Sequence, residues 1–290
     1  MKNICNRCLL NLSYLIPRVI RHFLPERIVR FLLLRSLVIQ PGLETSDPQS
    51  AVQRYVDILA DHGKTLKGKR VMVFGYGGRF DIGVGLLESG AEEVVLCEKY
   101  APPDDAHNQA LLPRYDAHLL LKGKLVRPRN ARITLLEADI RDVKPADGAV
   151  SSGLHLPPVD LIISNSVYEH LDDVEGITRA LAALTKPDGL HIHFVDLRDH
   201  FFKYPFEMLK FSRRVWYGWL NPSSNHNRYR LWDYRRAFNE SFGQVDITVL
   251  QRNEPELQKA RPQILPEFLS GRLEDDSVEL IRVIVSQPKH

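Results

Sequence analysis

Five short apolar segments, separated by helical or polar sequence, constrain the fold of this 290-residue chain more than any other feature. These predicted strands are Val71–Phe74, Glu93–Cys97, Ile133–Leu136, Asp160–Ser164 and Leu190–Val195. Strands that are apolar along most of their length are buried on both faces, and the helices between them supply the cover. The pattern therefore predicts a doubly wound α/β domain with a mainly parallel sheet, which binds its ligand at the carboxyl ends of the strands.

Apolar residues at helical spacing predict the layers that cover this sheet. The predicted helices are Ala51–His62, Ile82–Glu88, Ala106–Leu120, Val174–Leu184 and a segment from Asp233 to Phe242. Two later strands, Val245–Leu250 and Asp276–Val285, complete a seven-stranded sheet. The polar, proline-containing stretch Asn253–Asp275 between them is predicted to be a surface excursion.

A glycine-rich turn with the sequence GYGGRFD, at positions 75–81, follows the first predicted strand directly. Glycines at this point remove the Cβ atoms that would keep a ligand from the backbone, and they permit a tight turn. Taken alone, the motif fits a purely structural turn as well as a binding turn. Gly75, Gly77 and Gly78 are therefore candidate binding residues whose role depends on the neighbouring strand ends.

Polar residues follow the next three strands at matching places. Glu98 ends the second strand, where a carboxylate can accept hydrogen bonds from both hydroxyls of a ribose. Asp139 follows the third strand, where it can accept a hydrogen bond from the exocyclic amine of an adenine. Asn165 follows the fourth strand, at the point where the strand order reverses. Together with the turn, these residues indicate a ligand that contains a nucleoside.

Between about Lys69 and Val285 the sequence resembles the class I S-adenosylmethionine-dependent methyltransferases, most closely the bacterial small-molecule and glycan type. The resemblance is carried by the glycine-rich turn, the strand-end residues and the stretch DLRDH at positions 196–200. It implies a Rossmann-like fold with an antiparallel last strand, methyl transfer, and S-adenosyl-L-methionine as cofactor. The cofactor site that it implies is made of Gly75, Gly77, Gly78, Glu98, Asp139, Ile140 and Asn165. In this site the turn borders the cofactor, Glu98 holds the ribose, Asp139 reads the adenine, and Ile140 flanks the base.

Two positions depart from the family pattern. Val73 stands where an acid usually precedes the first glycine, and Arg79 stands at the third glycine of the common turn. These departures favour the alternative, a non-catalytic, membrane-associated cofactor-binding protein of the same fold. A nicotinamide enzyme is less well supported, because its turn normally requires G-x-G-x-x-G and the third glycine position here is Phe80.

Candidates for catalysis cluster after the fifth strand. Methyl transfer from a sulfonium chiefly requires alignment of the acceptor, and a hydroxyl or ammonium acceptor also needs a base. His200 is the first choice for this base because the ordinary pKa of histidine is about 6.5. Asp199 is expected to orient it, and Asp196, nearer the strand end, is the rival. An equally open interpretation is that Asp199 and His200 cap a helix starting at Phe201–Phe211.

The sequence does not indicate a metal site. His191 and His193 share one face of the fifth strand, but no carboxylate lies at a matching spacing. Cys5 and Cys8 lack a second Cys/His pair at metal-ligand spacing. His170 is interpreted as a wall of the cofactor pocket or a helix cap. We therefore predict no metal ligand.

An insertion at about residues 200–236 combines aromatic side chains with arginines and interrupts the strand–helix alternation. By analogy with the fold, it is predicted to form a lid over the acceptor. Aromatic faces suit sugar rings, and arginine forks suit carboxylate or phosphate. We expect a small-molecule or glycan acceptor, with an anionic one as a further option, and methylation of oxygen ahead of nitrogen or carbon. The alternative is that about half of these residues are core aromatics and solvated arginines.

Charge is distributed unevenly along the chain. The net charge is +3, but residues 1–40 carry seven basic residues against one acidic residue, a net +6, and the remainder carries −3. A body of this charge argues against nucleic acid as a partner, because phosphate binding needs many cations.

Residues 1–45 are predicted to form a basic amphipathic helical arm, interrupted at Pro17 and Pro25, ahead of a methyltransferase domain at 46–290. Three interpretations of the arm are open: it packs on the body, it makes peripheral membrane contact through residues 1–40, or it is a cleaved targeting peptide. Three cysteines and the lack of an apolar stretch of about 18 residues favour a cytoplasmic protein, with or without membrane association.

Overall fold

A computed structural model describes residues 2–23, 46–146, 153–200, 203–221 and 226–289. Its α-helices are α1 (Lys2–Phe23), α2 (Pro48–Asp61), α3 (Asp81–Glu88), α4 (Asp105–Gln109), α5 (Leu112–Tyr115), α6 (Val174–Ala183), α7 (Arg213–Val215), α8 (Leu231–Ser241), α9 (Glu254–Ala260) and α10 (Leu273–Asp276). Its strands are β1 (Arg70–Phe74), β2 (Glu93–Glu98), β3 (Leu119–Lys122), β4 (Leu125–Pro128), β5 (Ile133–Glu137), β6 (Val143–Pro145), β7 (Leu154–Leu156), β8 (Val159–Asn165), β9 (Thr185–Asp196), β10 (Phe242–Arg252) and β11 (Val278–Pro288).

The main sheet has seven strands in the order β10-β11-β9-β8-β1-β2-β5. Strands β9, β8, β1, β2 and β5 pair in parallel. The last strand, β11, runs antiparallel to both of its neighbours, β9 and β10. This arrangement confirms the predicted doubly wound, mainly parallel α/β fold. The strand order reverses between β1 and β8, so the ligand crevice expected of such a sheet opens at the carboxyl ends of these two strands.

Helices cover both faces of the sheet, as the apolar strands require. On one face α2 and α3 pack against β1, β2 and β8. On the other face α6 and α8 pack against the same sheet, with Tyr168, Tyr234 and Phe238 fully buried between the layers. These hydrophobic clusters on the two faces of the sheet hold the strands in place. The sheet therefore sets the positions of the loops at the carboxyl ends of the strands.

Two predicted elements are wrong. The segment Ala106–Leu120 is not one helix: α4 and α5 are short, and the segment ends in β3, which pairs with β4 in a hairpin. Pro113 lies in the first turn of α5, where it has no backbone N–H to continue a helix from α4. Gly123 takes a φ of +66° in the hairpin turn. Pro17 does not interrupt the arm, because α1 continues through it and is held by tertiary contacts on both sides.

The described part of the arm packs on the body beside the loop after β9. The Tyr14 hydroxyl and the Arg18 guanidinium both donate hydrogen bonds to the Asp199 carboxylate. Arg18 also donates to the Leu220 carbonyl at 2.9 Å and lies over the Trp216 ring, 4.8 Å from its centroid. Residues 24–45, with the predicted break at Pro25 and the predicted end of the arm, lie outside the described residues. None of the described helices combines the length and the apolar character needed to cross a membrane.

Candidate functional site

The glycine-rich turn after β1 is formed by three residues in the left-handed region. Gly75, Gly77 and Gly78 have φ values of +78°, +64° and +80°. A Cβ at Gly75 would lie 2.4 Å from Val167, and a Cβ at Gly78 would lie 2.4 Å from the Pro102 carbonyl oxygen. A Cβ at Gly77 would meet no described atom within 4 Å, so its backbone is open to a ligand. Packing therefore requires glycine at positions 75 and 78. At position 77 the left-handed φ favours glycine, and the space beside it is open.

Glu98 lies against this turn, as the sequence predicts. Its Oε2 accepts a hydrogen bond from the Gly77 amide at 3.2 Å. Its Oε1 accepts from the amides of Lys99 and Tyr100, at 3.0 and 3.1 Å. The carboxylate is half-buried and is held at the open part of the turn, where a hydroxyl-bearing ligand would meet it.

Asn108 also fastens the turn, and sequence reasoning missed it. Its side chain donates to the Gly78 carbonyl at 2.9 Å and accepts from the Phe80 amide at 3.0 Å. Asn108 is fully buried on α4. An asparagine inside a predicted helix carries no signal of this role, because the contact depends on how α4 is placed over the turn.

Asp139 caps a short 3₁₀ turn after β5 and is surrounded by cations. Its carboxylate accepts from Arg141 at 2.6 Å and from Lys99 at 2.8 Å. Hydrogen bonds from Arg141, and then from Lys99, hold the pKa of the Asp139 carboxyl well below its ordinary range. The group is therefore an anion at neutral pH. Its neighbour Ile140 is only 2% exposed and belongs to the core, so the structure places it beneath the loop.

Asn165 ends β8 at the reversal of strand order. The next residue, Ser166, has a φ of +54°, which is unusual outside glycine and marks a sharp turn. Val167 then packs against Gly75, so the loops after β1 and β8 are in contact. The structure thus brings Asn165 to the same edge as the glycine-rich turn and Glu98.

The three predicted catalytic residues have different surroundings. Asp196, at the end of β9, accepts hydrogen bonds from the Arg198 amide at 2.9 Å and from its guanidinium at 2.6 Å. Asp199 is fully buried and engaged by Tyr14 and Arg18 of the arm. Asp196 and Asp199 therefore form ion pairs, whereas His200 lies beside a different set of residues.

His200 faces the turn that follows β8. Its Nε2 lies 4.0 Å from Glu169 Oε1, and its ring lies 4.7 Å from the His170 ring, between centroids. The His226 ring is 5.2 Å from that of His200. Burial is the main cause that lowers the pKa of His200 to about 3 and raises the pKa of Glu169 well above its ordinary value. Sequence reasoning named His170 and His200 but not Glu169 or His226, although Glu169 stands next to His170 in the chain.

The insertion divides into buried and exposed residues. Arg228 donates to the carbonyls of Met208 and Phe211, and Arg230 to those of Leu197, Asp276 and Val278. Both arginines are at most 3% exposed, so they stabilise the loop structure and do not present forks to a ligand. Among the described aromatic residues of the insertion, Tyr217 and Trp219 are the exposed ones.

His191 and His193 form a buried hydrogen-bonded chain and do not reach the site. His193 Nδ1 bonds the Ser164 hydroxyl at 2.8 Å, and His191 Nε2 bonds the Thr185 hydroxyl at 2.7 Å. The two rings are joined at 3.3 Å between His193 Nε2 and His191 Nδ1.

No protein-family model and no curated protein matches the chain. Among solved structures, the chain is similar to an S-adenosylmethionine-dependent methyltransferase from Mesorhizobium loti, with 16% identity, a TM-score of 0.44, and 80% of this chain and 96% of that chain covered. It is also similar to phosphoethanolamine N-methyltransferase 2 from Haemonchus contortus in complex with S-adenosyl-L-methionine. That match has 12% identity, a TM-score of 0.47, and 82% of this chain and 53% of that chain covered.

Proposed function

We propose that this protein is a methyltransferase that uses S-adenosyl-L-methionine. The observation that carries the proposal is the contact between the open Gly77 backbone and the Glu98 carboxylate, at the edge where the strand order reverses. A carboxylate in this place can accept both hydroxyls of the ribose, while the glycines let the rest of the cofactor approach the backbone.

The remaining residues of the predicted cofactor site support the same proposal. Asp139 is an anion two strands away from β1, where its oxygens can accept a hydrogen bond from the exocyclic amine of the adenine. Asn165 lies at the reversal of strand order. The contact assigned to Ile140 stays a prediction. Val73, one departure from the family pattern, is 2% exposed, so an acid at this position would be buried in the core.

We further propose that the acceptor binds between the loops after β8 and β9 and that oxygen is the acceptor atom. The chain's own task is to align the acceptor hydroxyl with the methyl group and exclude water. His200 with a pKa of about 3 is a weak base by itself, so we assign it to a group with Glu169 and His170. Asp196 and Asp199 act as positioning residues through their ion pairs with Arg198 and Arg18.

A small-molecule or glycan acceptor, including an anionic one, fits the exposed part of the insertion. Tyr217 and Trp219 are 44% and 54% exposed, and the neighbouring Arg213 and Arg214 are also exposed. Aromatic faces stack on sugar rings, and arginine pairs with carboxylate or phosphate.

Calorimetry with S-adenosyl-L-methionine tests the cofactor assignment. We expect the full chain to bind the cofactor with micromolar or tighter affinity. We expect Glu98→Ala to reduce the free energy of cofactor binding by about 1–3 kcal/mol, because charged hydrogen bonds are lost. Glu92→Ala is the matched control, because Glu92 is exposed before the opposite end of β2. The absence of binding by the wild type would refute the proposed function. Equal losses of cofactor affinity in Glu98→Ala and Glu92→Ala would show that Glu98 does not contact the cofactor.

A second candidate function, peripheral membrane contact without catalysis, is favoured by one observation. Along α1, Leu12, Ile16, Ile20 and Phe23 are 45–69% exposed and recur every three or four residues, so they form one apolar stripe. Trp219 continues the stripe, since its ring lies 5.6 Å from that of His22. An apolar face on a basic arm fits the surface of an anionic bilayer.

Flotation with vesicles of phosphatidylserine and phosphatidylcholine tests this contact. We expect the wild type to float and a variant with serine at Leu12, Ile16, Ile20 and Phe23 to remain in the dense fraction. Leu121→Ser is the control, because Leu121 is equally exposed (52%) but lies on the β3–β4 hairpin. Equal flotation of the stripe variant and the wild type would discard α1 as an anchor. Turnover of a methyl acceptor would reject the non-catalytic alternative.

A further inference from the structure

Glu169, His170 and His200 form a group, here called the Glu169 group, whose potential ligand atoms all lie within 4.8 Å of one another. The group is assembled from two adjacent parallel strands. Glu169 and His170 lie in the 3₁₀ turn after β8, and His200 lies in the loop after β9. The carboxyl ends of these strands meet at one edge of the sheet, which is why residues 30 positions apart in the chain come together.

The turn that carries Glu169 is held in place by Asn227, which lies within the insertion. The Asn227 side chain donates to the carbonyls of Tyr168 and Leu171, at 2.7 and 3.2 Å. The Asn227 amide donates to the Glu169 carbonyl at 2.9 Å. These bonds fix the backbone of the turn and leave the Glu169 side chain for another task.

The Glu169 carboxyl is fully buried, and its Oε1 lies 4.0 Å from His200 Nε2. Its exposure is 0%, and within the described part of the chain neither oxygen has a hydrogen-bond partner, although the Ser166 side chain and the Asp196 backbone lie nearby. The two arginines near His200 are engaged by other carboxylates, Arg198 by Asp196 and Arg18 by Asp199. Burial disfavours an ionised carboxylate, and a bound cation would stabilise it.

His226 is a second buried group at the same place. It is 3% exposed, and neither ring nitrogen has a hydrogen-bond partner among the described residues. Its ring lies 5.2 Å from that of His200 and 5.8 Å from that of His170, so three imidazoles and one carboxylate share this edge of the sheet.

We propose that Glu169, His170 and His200 bind one divalent first-row transition ion, with His226 as a neighbouring third imidazole. Two imidazoles and one carboxylate suit zinc, iron, cobalt or nickel, whereas magnesium and calcium prefer sites made of oxygens. Metal–ligand bonds of about 2.0–2.2 Å at tetrahedral angles place ligand atoms about 3.3–3.6 Å apart. The ligand atoms of the group lie within 4.8 Å of one another, so side-chain rotations that move them by up to about 1 Å would close the site.

Metal binding by the Glu169 group needs neither cofactor nor acceptor and so goes beyond the proposed function. A role of the ion in methyl transfer rests on the proposed function. A cation beside the acceptor would lower the pKa of its hydroxyl, so that the proton leaves to water and the oxygen lone pair attacks the methyl carbon as the carbon–sulfur bond breaks.

Calorimetric titration with zinc chloride, after removal of metal by a chelator, tests the site. The full chain is used in a Cys5→Ser/Cys8→Ser background, which removes the cysteine pair as an alternative sulfur site. We expect one ion per chain with submicromolar affinity, a visible absorption band with cobalt, and no heat with magnesium. We expect Glu169→Gln and His200→Ala to weaken zinc binding at least 100-fold. His62→Ala, at the end of α2, is the control and is expected to bind as the background protein does.

Zinc affinity that is unchanged in both site variants, or absent in the background protein, would overturn the inference. Circular dichroism of each variant without metal checks that it is folded, and His200→Ala keeps the test valid where Glu169→Gln does not fold. S-adenosyl-L-methionine binding is measured on the same samples. Cofactor binding without zinc binding rejects only the metal site, and zinc binding without cofactor binding rejects only the proposed function.

Discussion

At the scale of single residues, Asp199 has partners that its neighbours in the chain do not indicate. The sequence places it next to His200, and the prediction that it orients that histidine stays a prediction. In the structure its carboxylate accepts hydrogen bonds from Tyr14 and Arg18, which lie more than 180 positions away in the chain. A buried carboxylate takes the strongest cationic donor within reach, and here that donor comes from the arm.

The Arg18–Asp199 pair leads to a prediction of stability. Arg18 is 9% exposed and Asp199 is fully buried. Removal of one partner leaves a buried charge uncompensated, so Arg18→Met is expected to lower the free energy of unfolding by about 3–5 kcal/mol. Urea unfolding followed by circular dichroism measures the loss, and Arg213→Met, at an exposed arginine, is the control. Losses of the same size in both variants would contradict the docking of α1 on the loop after β9.

At the scale of elements, β9 has buried polar side chains in its interior and polar residues at its carboxyl end. Its interior carries a buried polar chain from Ser164 through His193 and His191 to Thr185. Its carboxyl end carries Asp196 and leads to His200. Polar atoms in the interior are tolerated because each ring nitrogen of the two histidines has a partner, so no hydrogen-bonding group is left unsatisfied.

The buried histidines of β9 predict a dependence of stability on pH. Burial lowers the pKa of His193 to about 3 and that of His191 well below its ordinary value. Below pH of about 6.5 the unfolded chain binds protons that the folded chain does not bind. The free energy of unfolding should therefore fall as the pH decreases from about 6.5 towards 3, by about 1.4 kcal/mol for each pH unit and histidine.

Urea unfolding at about pH 7.5, 6 and 5 checks this slope. His193→Gln keeps a polar side chain but cannot titrate, so the variant should show a shallower dependence than the wild type. Identical slopes for the two proteins would mean that other groups control the acid sensitivity.

At the scale of the whole molecule, the small net charge conceals an uneven distribution of charge along the chain. The net +3 combines +6 in residues 1–40 with −3 in the remainder. Part of the arm's charge is internal, because Arg18 is buried against Asp199. The same helix that exposes Leu12 and Ile16 therefore also closes over the loop beside His200, which links any membrane contact of α1 to the proposed acceptor site.

The sequence by itself determined the sheet and the glycine-rich turn with Glu98 beside it. Strand patterns, the glycine-rich turn and Glu98 were predictable because each depends on neighbours close in the chain: apolar runs are buried, and glycines permit positive φ. Tertiary structure alone decided the partners of Asp199, the role of Asn108 and the grouping of Glu169 with His200 and His226. Those contacts join loops that are distant in sequence, and only the packing of parallel strands side by side brings their carboxyl ends together.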